Sequence, residues 1–418
     1  MFARASPELI ATSLKDAQPP AVSLPFSTVE PPTFPQDRTC PYQPPAGYQA
    51  VAEDGPISRL KLWDGREVWA ITGHAETRRL LADSRLSTDR RNPAFPTTSE
   101  AAASIKNRLT PPLVGVDDPV HKVQRAMLIP SFTHRRITSL RPRIEEIAER
   151  VLDTVVEKGA PADLVSAFAQ PMPSMVMCHL LGVPYDDHDF FEERTTRMLS
   201  GQNPAESWGE LRGYMLDLVG ENQHRLGEGL FGDLVSAPES KVDRGDLVDL
   251  AMVILAAGHE TTASMLSLGI FTLLDNPARL AELRADPSLW PAAIEELLRY
   301  LSITDGFTRV ALADIEIADI TIRKDDGLIF LTSVVNRDDT VRERPEALDW
   351  HRATREHVAF GFGVHQCLGQ NLARVILDIA LRRLFDRLPG LRLAAPAGDV
   401  PFKPGIAVQG LLELPVTW

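Results

Sequence analysis

The sequence predicts a mainly α-helical protein with small β-sheets at its edges. Three observations carry this. Several segments repeat apolar residues at helical spacing, one of them is far longer than an ordinary helix, and strand signals are few and short. With 44% hydrophobic and 24% charged residues, the 418-residue chain has enough apolar material for a sizeable core. A formal net charge of −13 makes the chain a poor candidate for gripping nucleic-acid backbones, because phosphate neutralisation needs an excess of cations.

In chain order, the first signal is proline. Nine prolines fall in the 27 residues from Pro19 to Pro45. Fixed φ angles and missing N–H donors make such a segment extended. Residues 1–40 are therefore expected to form a proline-rich, partly extended N-terminal segment. No repeat and no second linker of that character follows, so residues 41–418 are expected to form a single domain. Val68–Thr72 reads as a short strand. Arg143–Glu157 places Ile144, Ile147, Val151, Leu152 and Val155 on one helical face.

The longest candidate helix runs from Arg244 to Asn276, ending before Pro277; it would span about 50 Å at 1.5 Å per residue. Its start, LVDLAMVILAA, is apolar almost all round and should cross the interior. Gly258, His259, Glu260, Thr261 and Thr262 then break the pattern, because glycine weakens a helix and a carboxylate disfavours the core. Pro291–Leu301 opens with proline in the first helical turn and repeats Ile294, Leu297, Leu298 and Leu301. Ile315–Ile322, Gly327–Leu331 and Leu411–Val416 read as strands, and Leu368–Leu388 as an amphipathic helix.

The three cysteines, Cys40, Cys178 and Cys367, are too sparse for a disulfide framework and fit a reducing compartment. The first 20 residues hold no apolar core of a secretory signal, and no stretch reaches the roughly 18 apolar residues that span a bilayer. A cytoplasmic protein with no membrane span is expected.

Cys367 lies in FGFGVHQCLG, Phe360–Gly369, directly before a helix. Gly361, Gly363 and Gly369 let the backbone turn tightly and approach a flat body closely. The helix start offers free N–H groups and a positive dipole end to a thiolate. A cysteine nucleophile with His365 or His357 as base lacks an orienting third group. A zinc site built from His351, His357, His365 and Cys367 matches no strong ligand spacing. An axial thiolate for haem iron needs one cysteine, a close-approach loop and a following helix, and all are present.

FGFGVHQCLG resembles, position by position, the haem-binding loop of the cytochrome P-450 haem-thiolate monooxygenases. The likeness runs from about Cys40 to Trp418 and is nearest to soluble actinomycete, ferredoxin-dependent members. It implies the cytochrome P-450 fold, with haem between the long central helix and the cysteine-loop helix. Phe360, Gly258 and Gly369 fall at haem-contacting positions. AGHETT, Ala257–Thr262, resembles the family's oxygen-activation motif, 106 residues before Cys367. It implies that Thr261 hydrogen-bonds the oxygen being reduced and that Glu260 links it to solvent. An acid–alcohol pair beside a local opening in the helix suits proton delivery without bulk water.

The resemblance also implies haem-propionate donors at His121, Arg125, Arg309 and His365, and a structural triad of Glu296, Arg299 and Arg352. It places Leu86–Leu113, Phe190–Arg225, Val253–Ala257, Ile303–Phe307 and Leu411–Leu412 around the substrate, including Val253, Ala257, Ile303 and Leu411. Arg91 is a candidate partner for a substrate carboxylate or hydroxyl.

The expected reaction is hydroxylation of a bulky, mostly apolar molecule, such as a polyketide, terpenoid or secosteroid, with haem b, iron and O2. No flavin or nicotinamide domain is visible, so electrons should come from NAD(P)H through a ferredoxin reductase and a ferredoxin. Between Pro119 and Ile144, Lys122, Arg125, Arg135, Arg136, Arg141 and Arg143 occur with no acid, a candidate docking face. The alternatives are a haem-thiolate peroxygenase or isomerase and, from another class, a zinc-binding regulatory protein.

Overall fold

Apolar periodicity marks the helices closely. Arg143–Glu157 lies within a helix over Arg141–Lys158, whose buried face carries Ile144, Ile147, Val151, Leu152 and Val155. Trp290–Leu301 and Gln370–Arg387 are helices within about two residues of expectation. The computed structural model describes residues 30–40, 42–105, 110–199, 204–220, 229–232, 243–352, 356–403 and 408–418. The expected loop Leu86–Leu113 and the region Phe190–Arg225 lie partly outside them.

The long helix spans Arg244–Asp275, with the Asp243 side chain accepting the Gly245 N–H as an N-cap. It packs against the helices Pro171–Leu181, Pro204–Val219, Trp290–Leu301 and Gln370–Arg387. One correction concerns its middle: Gly258–Thr262 stay helical. The glycine is explained by Met177 instead, whose Sδ would lie 2.5 Å from a Cβ at Gly258.

Among the described residues the strands form sheets of six, three and two. The six-stranded sheet runs Thr33–Phe34, Ile57–Leu62, Glu67–Ile71, Gly327–Phe330, Phe307–Ala311, Leu86–Ser87. Trp69 pairs in register with Leu328, and Leu328 with Arg309 on its other side, which carries Arg309 to the inner rim. Ile57–Leu62 and Phe307–Ala311 were not anticipated. The expected strand Ile315–Ile322 is a hairpin of Ile315–Ile317 and Ile320–Ile322, since Ala318 and Asp319 take φ of 48° and 60° and turn the chain back. The C-terminal strand is Pro415–Thr417, paired with Ala162–Asp163 and Arg392–Leu393.

The compact body begins at Pro31, so residues 31–40, grouped in the sequence with the proline-rich segment, belong to the fold. Thr33–Phe34 adds a parallel strand. Arg38, its side chain 1% exposed, pairs with Asp305 at 3.2 Å and donates to the Leu301 carbonyl at 2.7 Å. A buried charge needs such partners. This contact braces the turn that carries Ile303 and Gly306.

Candidate active site

The cysteine loop is shaped by its glycines. Gly361 and Gly363 take φ of 70° and 75°. A Cβ on Gly363 would lie 2.2 Å from the Leu81 carbonyl oxygen. Only glycine meets both conditions. The Cys367 N–H donates to the Phe360 carbonyl at 2.9 Å, closing the loop. Arg125 donates to the Gln366 carbonyl at 2.7 Å. The helix then starts at Gln370, and the Gly369 and Gln370 N–H groups donate to the Cys367 sulfur.

The thiol opens into a cavity of about 430 Å³. It is accessible there, yet protein encloses it on every other side; the accessible surface is cavity wall. Burial pushes the thiol's pKa up, opposed by those two N–H groups and the charges of Arg125 and Arg374. Val253, Ala257, Gly258, Thr261, Ile303, Phe360 and Gly369 share the wall, as do Arg125, Arg309 and His365. The Thr261 hydroxyl donates to the Ala257 carbonyl at 2.7 Å.

Four of the expected residues are not on this wall. Glu260 is not on the wall; its carboxylate accepts a hydrogen bond from Lys403. His121 lies behind the wall, its ring 4.0 Å from that of His365. Arg91 turns outward, because Asp89 accepts both its backbone N–H at 2.9 Å and its guanidinium at 2.8 Å. Its neighbour Arg90 lines the cavity instead, where burial lowers its pKa. Leu411 is fully buried and bridges Phe402, so it packs in the core and does not line the cavity.

The residues present fit a haem. A Cβ on Gly369 would meet no protein atom nearer than 4.0 Å, so the loop leaves open space beside it. His121 donates or accepts through Nδ1 with Asp118 at 3.1 Å, but its Nε2 is buried with no partner. Arg309 donates to the Thr308 carbonyl and forms no ion pair among the described residues; burial pulls its pKa down to about 10, against the weaker opposing charge of Asp117. Burial likewise holds His365 down to about 4, helped by the cations around it. A neutral imidazole and guanidiniums that make no ion pair among the described residues suit two carboxylates of a ligand. The zinc reading fails: among the described residues no three His, Cys, Asp or Glu side chains converge as metal ligands. His351 contacts Glu282, and His357 contacts Glu295.

Behind the loop, Glu296 and Arg299 are fully buried and Arg352 Nε stands 3.5 Å from Glu296. A second cluster was missed. Glu295 accepts from Arg374 and from His357 at 3.1 Å, and Arg374 lies over the Phe360 ring at 4.6 Å. The signal was present: Glu295 and Glu296 are adjacent, and Arg374 follows Gln370 by one helical turn on the cysteine-loop helix.

A family model described as Cytochrome P450 matches residues 230–389. Pentalenic acid synthase of Streptomyces avermitilis is 57% identical over 397 residues, covering 94% of this chain and 98% of that protein. Vitamin D3 dihydroxylase of Streptomyces griseolus is 48% identical, covering 94% and 98%. The crystal structure of the mycinamicin VIII C21 methyl hydroxylase of Micromonospora griseorubida, bound to mycinamicin VIII, superposes with a TM-score of 0.86 at 38% identity, covering 92% of this chain and all of that one.

Proposed function

The chain belongs to the cytochrome P450 family, as a monooxygenase that uses haem iron, O2 and electrons from outside the chain, and on that premise we propose the roles of its residues, its electron route and its substrate. Cys367 would hold the haem iron through its thiolate. The observation that carries this is its thiol, held by two backbone N–H groups and opening on the same cavity as Thr261. Bound haem b supplies a redox-active iron at which dioxygen is reduced.

His121, Arg125, Arg309 and His365 supply donors for the two propionates. The charges of Arg125 and Arg374 favour the thiolate form of Cys367. The Thr261 hydroxyl is the proton donor toward the reacting oxygen and Glu260 its link to solvent. Val253, Ile254, Ala257, Leu298 and Ile303 give the wall an apolar stretch that excludes water. Glu296, Arg299 and Arg352 hold the segment before the cysteine loop.

The substrate is a bulky, mostly apolar natural product of the terpenoid, secosteroid or macrolide kind, and the place of the enzyme is secondary metabolism. The apolar wall supports this, as do the relatives' names: pentalenic acid, vitamin D3 and mycinamicin VIII. Electrons come from NAD(P)H through a ferredoxin reductase and a ferredoxin. The segment Val120–Ser139 presents exposed Lys122 and Arg135 beside exposed Val120, Val123 and Ile129, a charged and apolar face for an acidic partner. Arg141 and Arg143 are paired with Asp378 and Glu146 and contribute less free charge. No helix among the described residues is long and apolar enough to cross a membrane, and we place the protein in the cytoplasm.

The test is spectroscopic. The reduced protein with CO should absorb at about 450 nm, and Cys367→Ser should lose that band and all monooxygenase activity. A Cys367→Ser variant keeping both would defeat the assignment. Candidate substrates can then be ranked by the shift each causes in the haem spectrum.

A further inference from the structure

Residues 302–306 join the helix Trp290–Leu301 to the strand Phe307–Ala311, and Ile303, Thr304 and Gly306 of this turn stand on the cavity wall. Its other side rests on residues 34–38, from the far end of the chain. Gly306 takes a φ of 86°, and a Cβ there would run into the tip of the Phe34 ring, with a second ring carbon 2.9 Å away. The wall is therefore a single backbone thick at Gly306, with an aromatic ring directly behind it. That ring is 1% exposed and stacks on Tyr48 at 5.8 Å between centres, so it is itself backed by packed protein. The strand that carries it pairs with Lys61 and Leu62 at the edge of the six-stranded sheet.

Arg38 holds the same turn at both ends. One guanidinium nitrogen donates to the Leu301 carbonyl, and another reaches the Ser302 carbonyl at 3.4 Å and the Asp305 carboxylate at 3.2 Å. Asp305 also accepts the Ser333 N–H at 2.8 Å, and the Thr332 hydroxyl donates to the Thr304 carbonyl. A buried guanidinium fork fixes orientation as well as position. Neither Phe34 nor Arg38 is on the cavity wall, so neither touches a ligand there.

We propose that Phe34 and Arg38 are positioning residues for substrate selectivity: from behind the wall they fix how far residues 303–306 stand into the cavity, and with that the bulk of ligand admitted. This rests on the reading of the cavity as the haem and substrate chamber. A close-packed interior passes a displacement on instead of absorbing it. Removing the ring behind Gly306 leaves a space into which the turn withdraws, whereas a methyl added at Gly306 against the intact ring drives the turn the other way. Bulky ligands feel this difference; a small one does not press on that part of the wall.

The experiment uses the haem-loaded protein and two azoles that bind ferric haem iron and shift its absorption, imidazole itself and the bulky clotrimazole. Dissociation constants are read from that shift for the unsubstituted protein, Phe34→Ala, Gly306→Ala, the double variant and Arg38→Lys. Phe34→Ala should tighten clotrimazole relative to imidazole by about three-fold or more, and Gly306→Ala should weaken it by a similar factor. In the double variant the methyl meets no ring, so Gly306→Ala should there lose most of its effect; backbone strain at Gly306 is common to both backgrounds and cancels. Arg38→Lys keeps the charge beside Asp305 but loses the fork, and should shift the ratio in the same direction as Phe34→Ala. A merely structural role would lower haem content or thermal stability and leave the ratio of the two constants unmoved. Should Phe34→Ala not yield haem-loaded protein, Phe34→Leu is read in the same way. An unchanged ratio in the Phe34 variant, or additive effects in the double variant, would overturn the role of Phe34, and an unchanged ratio in Arg38→Lys that of Arg38. If the unsubstituted protein shows no shift with either azole, it is the reading of the cavity that fails.

Discussion

Glu296 and Arg299, neither with any exposed side-chain surface, face each other through two parallel hydrogen bonds of 2.8 Å each. Arg299 spends its remaining donors on the carbonyls of Asn336, Pro345 and Ala347, and Glu296 accepts the Asp349 N–H. Arg352 ties into the same stretch through the carbonyls of Glu343, Arg344, Ala347 and Asp349. An i,i+3 pair of this kind is usually a weak surface contact. Here it organises the irregular segment that precedes the cysteine loop.

Glu296→Ala or Arg299→Ala should therefore give little or no haem-loaded protein. Removing one partner of a buried pair costs about 3–5 kcal/mol, a large part of a domain's stability. Haem content and thermal unfolding of the purified variants check this; normal values in either would make the pair dispensable.

The cysteine loop was legible because its elements are local: glycines, a cysteine and a helix start within ten residues; the long helix was legible from its sustained apolar run. Contacts between distant residues were not. Nothing around Lys403 announces Glu260, and nothing around Arg374 announces its hold on Glu295. Arg90 and Arg91 show a finer limit. Two adjacent arginines look alike in sequence, and only the turn at Asp89 decides which faces inward. The strand Phe307–Ala311, FTRVA, is short and half-buried, so its alternation is blurred even though it delivers Arg309.

Thr261→Ala should leave substrate binding nearly intact while reductant consumption continues and hydrogen peroxide accumulates in place of product. The Thr261 hydroxyl is on the cavity wall and donates to the Ala257 carbonyl at 2.7 Å at rest, so turning it toward the cavity provides a donor there. Alanine removes that donor with little change in shape. The check is the ratio of product to reductant consumed; an unchanged ratio would show that protons arrive by another route.

Glu295 predicts a pH dependence. Burial raises its pKa, but hydrogen bonds from His357 and Arg374 outweigh this and hold it down at about 2, against an ordinary 4.5. His357 itself is pushed down by burial and accepts the Ala359 N–H at Nδ1, so it is a neutral donor and Arg374 carries the balancing charge. A depressed carboxylate stabilises the fold above its unfolded pKa, and that contribution is lost as pH falls toward about 2. Glu295→Gln should thus lower stability at pH 7 by roughly 3 kcal/mol and matter progressively less in acid. Unfolding curves of both proteins at several pH values test it; a difference independent of pH would sink the account.

The electron partner gives the last prediction. Arg135 is exposed and Arg136 half-exposed on the helix His134–Ser139, and neither forms an ion pair among the described residues. Their charge is therefore free to steer a partner, unlike that of Arg141, which Asp378 neutralises. Reversing both, Arg135→Glu with Arg136→Glu, should slow reduction by an acidic ferredoxin several-fold at low salt. Complementary charges act mainly on association, and their reach is screened within a Debye length of about 8 Å at physiological ionic strength. The defect should shrink as salt is added. Peroxide-driven turnover, which needs no ferredoxin, should be spared because the substituted side chains do not line the cavity. Stopped-flow reduction across a salt series, with peroxide-driven turnover as the control, separates the outcomes. Equal loss by both routes would point to damaged folding or haem binding, and this face would then not be the docking site.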